Sequence, residues 1–276
     1  MRLRSLLFVP GDRPERFAKA AASGADAVIL DLEDSVAAAG KAAAREAVAR
    51  WLREPATVPR FVRVNPLGSD GLADDLVAAR GAGGVMLPKS ECAGDVATLV
   101  AAMGDGAVPV LPVATETPLA VFGLGGYRAV ADRLAGLTWG AEDLPAAIGA
   151  SSAREADGRY TAPYEMVRTL ALMGAHAAGV AAIETVYPAI RDPGGLAAYA
   201  ARGARDGFTG MMAIHPAQVA VINAAFSPSE AALADARAVV AAFAANPGAG
   251  ALQLDGRMID APHLKQALAL LTRAGE

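Results

Sequence analysis

The stretch "AVILDL" at residues 27–32 decides the fold, because a run of aliphatic residues leads directly into an acidic side chain. A near-continuous apolar run, in place of an alternating one, is typical of a strand buried on both faces of a parallel sheet. The chain can build such a core, since 54% of its 276 residues are hydrophobic and only 20% are charged. The stretch therefore predicts one strand of a parallel α/β sheet.

Similar apolar runs recur along the chain, and stretches with the 3.6-residue period of covering helices separate them. The eight predicted strands are residues 5–9, 27–32, 60–65, 84–88, 108–114, 137–140, 181–187 and 210–215. Eight is the count that closes a barrel. An open doubly wound sheet is the alternative, but the glycine-rich "GLGGYR" at 123–128 lacks the dinucleotide-binding spacing. The sequence predicts an α/β fold, a (β/α)8 TIM barrel with a C-terminal helical extension.

The region after the eighth strand is longer than a barrel needs. It begins with a predicted helix at 216–225, a second helix starts near Ser229, and a tail follows from Asn246. We predict a TIM-barrel catalytic domain over residues 1–226. Residues 227–276 are predicted to form a C-terminal helix and tail that covers, or swaps onto, an active site.

Charge and cysteine content exclude several classes of partner. The net charge is −4 and no basic stripe occurs, which argues against a nucleic-acid partner. Cys92 is the single cysteine, so no internal disulfide can form. The apolar run at the N-terminus is about six residues, shorter than a signal peptide needs, and no run reaches the length of a membrane span. We expect a cytoplasmic protein with neither a nucleic-acid nor a membrane partner.

Polar side chains concentrate at the C-terminal ends of the predicted strands, which in a barrel share one mouth where active sites are built. They are Asp31, Glu33, Asp34, Arg63, Asn65, Lys89, Glu116, Glu142, Asp143, Glu184 and His215. Acids that converge on one site raise each other's pKa unless a cation offsets them. Glu116, with either Glu142 or Asp143, suits Mg²⁺, which takes one or two carboxylates and keeps waters. The alternative is that these acids cap helices, with Glu142 as a candidate cap.

Two basic features point to an anionic substrate. The planar donors of Arg63 fit a carboxylate in a bidentate fork, although a salt bridge to a neighbouring acid is the alternative. In the first loop, Pro14 suits the start of a helix, and Arg16 and Lys19 share a helix face. A helix N-terminus with nearby cations can hold phosphates and indicates a nucleotide-bearing ligand; a solvated surface face is the alternative.

A set of motifs, in order from about residue 4 to 270, resembles the citrate lyase β-subunit-like (CitE-like) group of the HpcH/HpaI aldolase family. Malyl-CoA and citramalyl-CoA lyases are its relatives. The set is specific as a whole, although no single motif is. The motifs are "LLFVPGDRPERFAKA", "AVILDLEDSV", "FVRVN", "MLPKSE", "ATETP", "WGAEDLPAAIGA", "ETVYPAIRD", "GFTGMMAIHPAQV" and "MIDAPHLKQA".

The resemblance implies a TIM barrel, a homotrimer or a multiple of three, that makes or breaks a C–C bond in an acyl-CoA thioester with Mg²⁺. Glu116 and Asp143 fall on the family's metal ligands. Arg63 falls on the arginine that grips the 2-oxo acid. Asp260 matches a catalytic general acid/base, often delivered from a neighbouring subunit. The substrate-binding positions implied in this way are Phe8, Lys19, Arg63, Glu116, Ile214 and His215.

The sequence departs from the family pattern at three positions. Glu184 stands where many relatives have Asp, Met211 where relatives often have Lys, and Glu15 where some have Lys. A lysine missing at Met211 is expected to alter the binding of the CoA phosphates, and Glu184 is expected to lengthen an acid near the mouth. These departures bear on the identity of the thioester more than on the class of reaction.

The function expected from the resemblance is Mg²⁺-dependent cleavage, or condensation, of a malyl- or citramalyl-type 3-hydroxyacyl-CoA to an acyl-CoA and a 2-oxo acid. One alternative is the citryl-thioester-cleaving β-subunit of a citrate lyase complex. Others are an enzyme that also hydrolyses the thioester and a non-catalytic CoA-ester-binding protein. The acyl group and the direction of the reaction stay open.

Overall fold

The computed structural model describes residues 2–276, and its first compact unit, Leu3–Ala224, contains the predicted barrel. All eight predicted strands are present and parallel, in the order β5-β4-β3-β2-β1-β8-β7-β6. Parallel bridges Val110–Leu134 and Val113–Thr138 join the two outer strands and so close the barrel. The strands are β1 Ser5–Pro10, β2 Ala27–Asp31, β3 Arg60–Arg63, β4 Gly84–Leu87, β5 Val110–Pro112, β6 Leu137–Thr138, β7 Ala182–Glu184 and β8 Gly210–Ala213. The predicted fold class is confirmed.

Helices connect successive strands. The α-helices of this unit are α1 Phe17–Ala21, α2 Lys41–Leu52, α3 Leu72–Ala78, α4 Ala93–Met103, α5 Pro118–Gly123, α6 Asp143–Ile148, α7 Ala162–Ala178, α8 Pro193–Asp206 and α9 Pro216–Ala225. Short 3-10 segments cover Pro14–Arg16, Ala38–Gly40, Gly104–Gly106 and Leu124–Arg133. Gly179 ends α7 in the left-handed region, at φ 71°, as its position after the apolar pattern predicts.

Alternate positions along each strand face the barrel interior, because successive side chains point to opposite faces. The interior cluster includes Leu6, Ile29, Phe61, Met86, Leu111, Ile183 and Met212, all buried. The strand residues on either side of each of these face the helix layer. Alternation therefore decides which polar residues of a strand can reach the mouth.

The second compact unit, Ala225–Glu276, has its own small core. It consists of α10 Glu230–Ala245, a hairpin of β9 Ala251–Leu254 and β10 Arg257–Asp260, and α11 Ala261–Ala274. Ser229 caps α10 by accepting a hydrogen bond from the Ala232 N–H at 3.2 Å. The predicted role of residues 227–276, to cover or swap onto an active site, stays a prediction. Within residues 2–276, no helix has the length and apolar character needed to span a bilayer.

Candidate functional site

The ends of β2 and β3 are joined by a bidentate ion pair. Asp31 accepts hydrogen bonds from Arg63 Nε at 2.7 Å and from Arg63 Nη2 at 2.6 Å. Asp31 also accepts the backbone N–H groups of Glu33 and Ser35, so the same carboxylate shapes the following loop. Burial would raise the pKa of Asp31, but the Arg63 guanidinium and these N–H groups outweigh it and hold the pKa below its ordinary value. The salt-bridge alternative for Arg63 is therefore present in the structure.

Glu33 links Arg63 to a second cation. Its Oε2 lies 3.0 Å from Arg63 Nη1, and its Oε1 accepts a hydrogen bond from Lys89 Nζ at 2.7 Å. The Glu33 side chain is buried, and burial raises its pKa even though Arg63 and Lys89 oppose the shift. Two acids and two cations thus alternate across the ends of β2, β3 and β4. Glu33 and Lys89 were predicted to lie at the mouth, but neither was given a role.

Glu116 lies in the loop that follows β5, one residue before Thr117, which caps α5. It is 6% exposed, and its Oε2 accepts the backbone N–H of Lys89 at 2.5 Å. Burial raises the pKa of Glu116 to about 7; the Lys89 N–H opposes this shift, and the nearby carboxylates of Asp143 and Glu33 add to it. A buried acid beside two other acids is the arrangement that a bound cation would relieve.

The motif "WGAED" fits closely around Glu116. A Cβ at Gly140 would lie 2.8 Å from Glu116 Cγ, so a glycine is required for the glutamate to occupy this position. Thr115 fixes the two segments together, since its Oγ1 donates to the Gly140 carbonyl and accepts the Gly140 N–H. The glycine in this motif therefore has a packing reason that the sequence alone did not reveal.

Of the paired acids Glu142 and Asp143, only Asp143 reaches the cluster. Asp143 begins α6, and its Oδ1 lies 3.6 Å from Lys89 Nζ. Glu142 occupies the N-cap position of α6, but its side chain makes no capping hydrogen bond. Asp143 side-chain exposure is 38%, which leaves this carboxylate open to a ligand from solvent.

The charges of this cluster do not balance. Five carboxylates, Asp31, Glu33, Asp34, Glu116 and Asp143, lie around two cations, Arg63 and Lys89, so the acids outnumber the cations by three. Among residues 2–276 no group of three or more His, Cys, Asp or Glu side chains is arranged to hold a metal ion. The charge of Asp143 acts on Glu116, so these two carboxylates lie near each other and can be offered together to a cation. That donor set fits Mg²⁺, which binds through one or two carboxylates and leaves positions for water and substrate.

The other predicted substrate positions lie on three elements. Phe8 in β1 is half-buried, and the Arg63 guanidinium carbon lies 5.0 Å from its ring centre. Lys19 is exposed on α1. Ile214 and His215 follow β8 and are exposed, with the Ile214 N–H donating to Gln218 and His215 Nδ1 accepting the Ala217 N–H. Of these four residues, Phe8 is the one seen to lie against the charged cluster, through Arg63. The substrate-binding roles of all four stay predictions.

The two departures on β7 and β8 lie away from the mouth. Glu184 follows the interior-facing Ile183 and points to the helix layer, where it pairs with Arg168 at 2.7 Å. Its side chain is fully buried and also accepts hydrogen bonds from Trp139 and Tyr199. Met211 is fully buried in the barrel wall. The expectation that Glu184 is an acid near the mouth is wrong, because strand alternation turns it outward.

Asp260 belongs to the second unit, where it caps α11. Its side chain accepts the N–H of His263, and its Oδ1 lies 2.5 Å from His263 Nδ1. The hydrogen bond from His263 lowers the pKa of Asp260. The carboxylate is 34% exposed. Its role as a general acid/base stays a prediction.

Three relatives match nearly the whole chain. A citrate lyase subunit beta-like protein of Mycobacterium tuberculosis is 43% identical over 272 residues, covering 98% of this chain and 95% of that protein. A (3S)-malyl-CoA thioesterase of Cereibacter sphaeroides is 33% identical over 280 residues, covering 98% and 94%. An L-malyl-CoA/beta-methylmalyl-CoA lyase of the same species is 31% identical over 299 residues, again covering 98% and 94%.

A solved structure and a family model agree with these relatives. The crystal structure of CitE from Mycobacterium tuberculosis, in complex with magnesium, acetoacetate and coenzyme A, matches with a TM-score of 0.85 at 41% identity. It covers 100% of this chain and 99% of that chain. The model for HpcH/HpaI aldolase/citrate lyase matches residues 4–216. The chain therefore belongs to the HpcH/HpaI aldolase/citrate lyase family, and the enzyme class expected from its sequence, an oxo-acid lyase, is confirmed.

Proposed function

We propose that this chain is a Mg²⁺-dependent carbon–carbon lyase that cleaves a malyl- or citramalyl-type 3-hydroxyacyl-CoA into an acyl-CoA and a 2-oxo acid, or runs the reverse condensation. The observation that carries the proposal is the pair Glu116 and Asp143, in a cluster whose acids outnumber its cations, beside the arginine Arg63. A divalent cation would offset that excess of negative charge, and Arg63 offers a fixed positive charge for an anionic substrate.

Glu116 and Asp143 would hold the Mg²⁺. When bound, the ion supplies a Lewis acid for the carboxylate and adjacent oxygen of the 2-oxo acid. The magnesium and acetoacetate bound in the Mycobacterium tuberculosis structure support this choice, since that protein is 41% identical over the full chain.

Arg63 would grip the substrate carboxylate. Of the five N–H donors of a guanidinium, two bond to Asp31, while Nη1 lies 3.0 Å from Glu33 Oε2 as an ion pair without hydrogen-bond geometry. The remaining donors can serve the substrate. The two bonds to Asp31 fix the guanidinium plane before substrate arrives, so little orientational freedom is lost on binding. We place Phe8 beside the same acid, and Lys19, Ile214 and His215 along the CoA ester.

Asp260 would move the proton. In the cleavage direction it takes the proton of the substrate hydroxyl, and the C–C bond breaks. The electron pair of that bond passes to the thioester, which becomes an enolate. Asp260 then returns the proton to the α-carbon, which completes the acyl-CoA. A positioned acid/base of this kind is worth roughly 10²- to 10⁴-fold in rate. In line with the family resemblance, we propose a cytoplasmic homotrimer, or a multiple of three, in which Asp260 serves the site of a neighbouring copy.

Two alternatives have support from the relatives. The 43% identical relative is named citrate lyase subunit beta-like, which favours cleavage of a citryl thioester on an acyl-carrier protein within a complex. The 33% identical (3S)-malyl-CoA thioesterase favours hydrolysis of the thioester as the final outcome. Both alternatives use the same carboxylates and Arg63, and they differ in the thioester and in the products.

The test is a product assay with malyl-CoA, citramalyl-CoA, citryl-CoA and a citryl thioester of an acyl-carrier protein, each with Mg²⁺ and with EDTA. We expect Mg²⁺-dependent release of a 2-oxo acid together with an acyl-CoA from at least one ester, and no release by Asp143→Ala or Asp260→Ala. Turnover of a carrier-bound citryl thioester alone would favour the complex subunit, and free CoA without acyl-CoA would favour the thioesterase. Binding of the esters without any product would instead identify a non-catalytic binding protein.

A further inference from the structure

Lys89 has an unusual backbone conformation that directs it into the metal site. Among residues 2–276, only Lys89 and Asp255 are non-glycine residues with positive φ, at 51° and 49°. Asp255 lies in the tight turn of the β9–β10 hairpin, which accounts for its conformation. Lys89 follows β4 and Pro88, and its left-handed conformation is unfavourable for a residue that carries a Cβ. In this conformation its N–H donates to Glu116 Oε2 at 2.5 Å.

The Lys89 ammonium has a choice of carboxylates. Its Nζ is bonded to Glu33 Oε1 at 2.7 Å, and it lies 3.6 Å from Asp143 Oδ1 and 3.9 Å from Asp34 Oδ2. Glu33 is thus the closest partner, although Asp143 is within ion-pair reach. The Glu33 side chain is held in turn by Arg63 Nη1 at 3.0 Å.

An ammonium and a divalent cation compete for the same carboxylate. If the Lys89 Nζ paired fully with Asp143, Mg²⁺ would have to displace it, and the two like charges would repel each other across a few ångströms. The bond to Glu33 holds the ammonium at 2.7 Å from Glu33 Oε1 and leaves it 3.6 Å from Asp143 Oδ1. We propose that Glu33 is a positioning residue, which holds the Lys89 ammonium away from Asp143 and thereby sets the affinity of the site for its divalent cation. The inference rests on the proposed Mg²⁺ site.

The two side chains are predicted to have opposite effects on metal binding. Lys89→Met removes the competing charge but keeps the N–H that Glu116 accepts, so the affinity for Mg²⁺ should rise about tenfold. Glu33→Gln replaces the charged partner of the ammonium with a neutral amide oxygen, so the ammonium pairs more with Asp143 and the affinity should fall about tenfold. In the double variant no ammonium is left to release, so Glu33→Gln should change the affinity by no more than about twofold.

The experiment is a calorimetric titration of metal-free, EDTA-treated protein with MgCl₂, for the unaltered chain, both single variants and the double variant. Urea unfolding of each metal-free variant confirms that it is folded. Arg50→Met, which removes one positive charge from an exposed position on α2, is the matched control and should leave the affinity unchanged.

Three results would overturn the inference. If Glu33→Gln weakens Mg²⁺ binding equally with and without Lys89, Glu33 acts through its own charge and not through the lysine. If Lys89→Met leaves the affinity unchanged, the ammonium does not compete; this variant also decides the question should Glu33→Gln fail to fold. If the unaltered chain binds no Mg²⁺, the proposed metal site is wrong and this inference falls with it.

Discussion

Glu116 is deeply buried and lies among other carboxylates, and both features raise its pKa. A bound cation would favour its ionised form. Its pKa of about 7 lies above the ordinary value of 4.5, so the folded state binds its proton more tightly than the unfolded chain does. Stability from this group is complete below pH 4.5 and is lost as the pH rises toward 7. Without a metal, the ionised Glu116 thus destabilises the fold at neutral and alkaline pH.

Replacement of Glu116 by glutamine should stabilise the metal-free protein while it abolishes metal binding. The glutamine side chain is not charged, and its carbonyl can still accept the Lys89 N–H, so we expect a gain of about 2 kcal/mol in unfolding free energy at pH 8 in EDTA. The gain should disappear near pH 4.5. Urea unfolding measures both values. With Mg²⁺ added, only the unaltered protein should gain stability. A variant that is less stable than the unaltered chain at pH 8 in EDTA would contradict this account of Glu116.

Arg63 has a structural as well as a proposed substrate role, because it neutralises the 2% exposed Asp31. Arg63→Gln leaves that carboxylate buried without its partner, and we expect a loss of about 3 kcal/mol in unfolding free energy. Asp31→Asn with Arg63→Gln removes both charges and should restore more than half of the loss. Urea unfolding in EDTA compares the three proteins. A double variant as unstable as Arg63→Gln alone would show that the ion pair is not the cause.

The roles of single residues were predicted better than the identities of the residues they pair with. Glu116 and one of the pair Glu142 and Asp143 were chosen from their strand-end positions, and the structure brings Glu116 and Asp143 to the same lysine. A salt bridge was also kept open for Arg63, but the identity of Asp31 as the partner depends on the register between β2 and β3. Residue type predicts what a side chain can do, whereas its partner depends on contacts between distant segments.

At the scale of elements, all eight strands were predicted, because buried parallel strands are continuous apolar runs. Their ends were less well predicted: residues 108–114 were expected as a strand, but β5 covers only Val110–Pro112, since apolar residues continue into the loops. The β9–β10 hairpin was missed. Its signal is Asp255–Gly256, with φ values of 49° and 77°, between the strand residues of "ALQL" and "RMID".

The packing of β7 against the helix layer depends on Glu184, which was predicted to lie near the mouth. Arg168 is 3% exposed and pairs with Glu184 at 2.7 Å. Glu184→Gln replaces one acceptor oxygen with a donor and weakens the partner of a buried guanidinium. We expect a loss of about 3 kcal/mol in unfolding free energy with no change in Mg²⁺ affinity.

A partly exposed ion pair between α7 and α8 provides the control for Glu184. Glu165 of α7 pairs with Arg202 at 2.5 Å, with side-chain exposures of 29% and 33%. Glu165→Gln should lower the unfolding free energy by about 1 kcal/mol or less. Urea unfolding and Mg²⁺ calorimetry of both variants test the comparison. A large loss of Mg²⁺ affinity in Glu184→Gln would contradict the position of Glu184 in the helix layer and indicate a role at the mouth of the barrel.

At the scale of the whole molecule, the closed barrel explains why acids far apart in sequence act together. Glu33, Glu116 and Asp143 follow β2, β5 and β6, and the closure between β5 and β6 brings the last two to one side of Lys89. The position of Asp260 does not depend on the barrel, because this residue lies in the second compact unit and caps α11 there. Whether its carboxylate serves its own chain or a neighbouring copy is a question about the assembly.

Subunit complementation answers that question directly. If Asp260 acts on the site of a neighbouring copy, Asp143→Ala and Asp260→Ala should each be inactive alone but regain activity when they form mixed oligomers. In such an oligomer a site with an intact Asp143 can receive the intact Asp260 of the other variant. Co-expression with two different affinity tags isolates the mixed assemblies, and native mass spectrometry confirms their composition. Asp143→Ala mixed with the Asp143→Ala/Asp260→Ala double variant is the control, and it should stay inactive because no site in it has an intact Asp143. Mixed oligomers of the two single variants without activity would show that Asp260 works within its own chain or not at all.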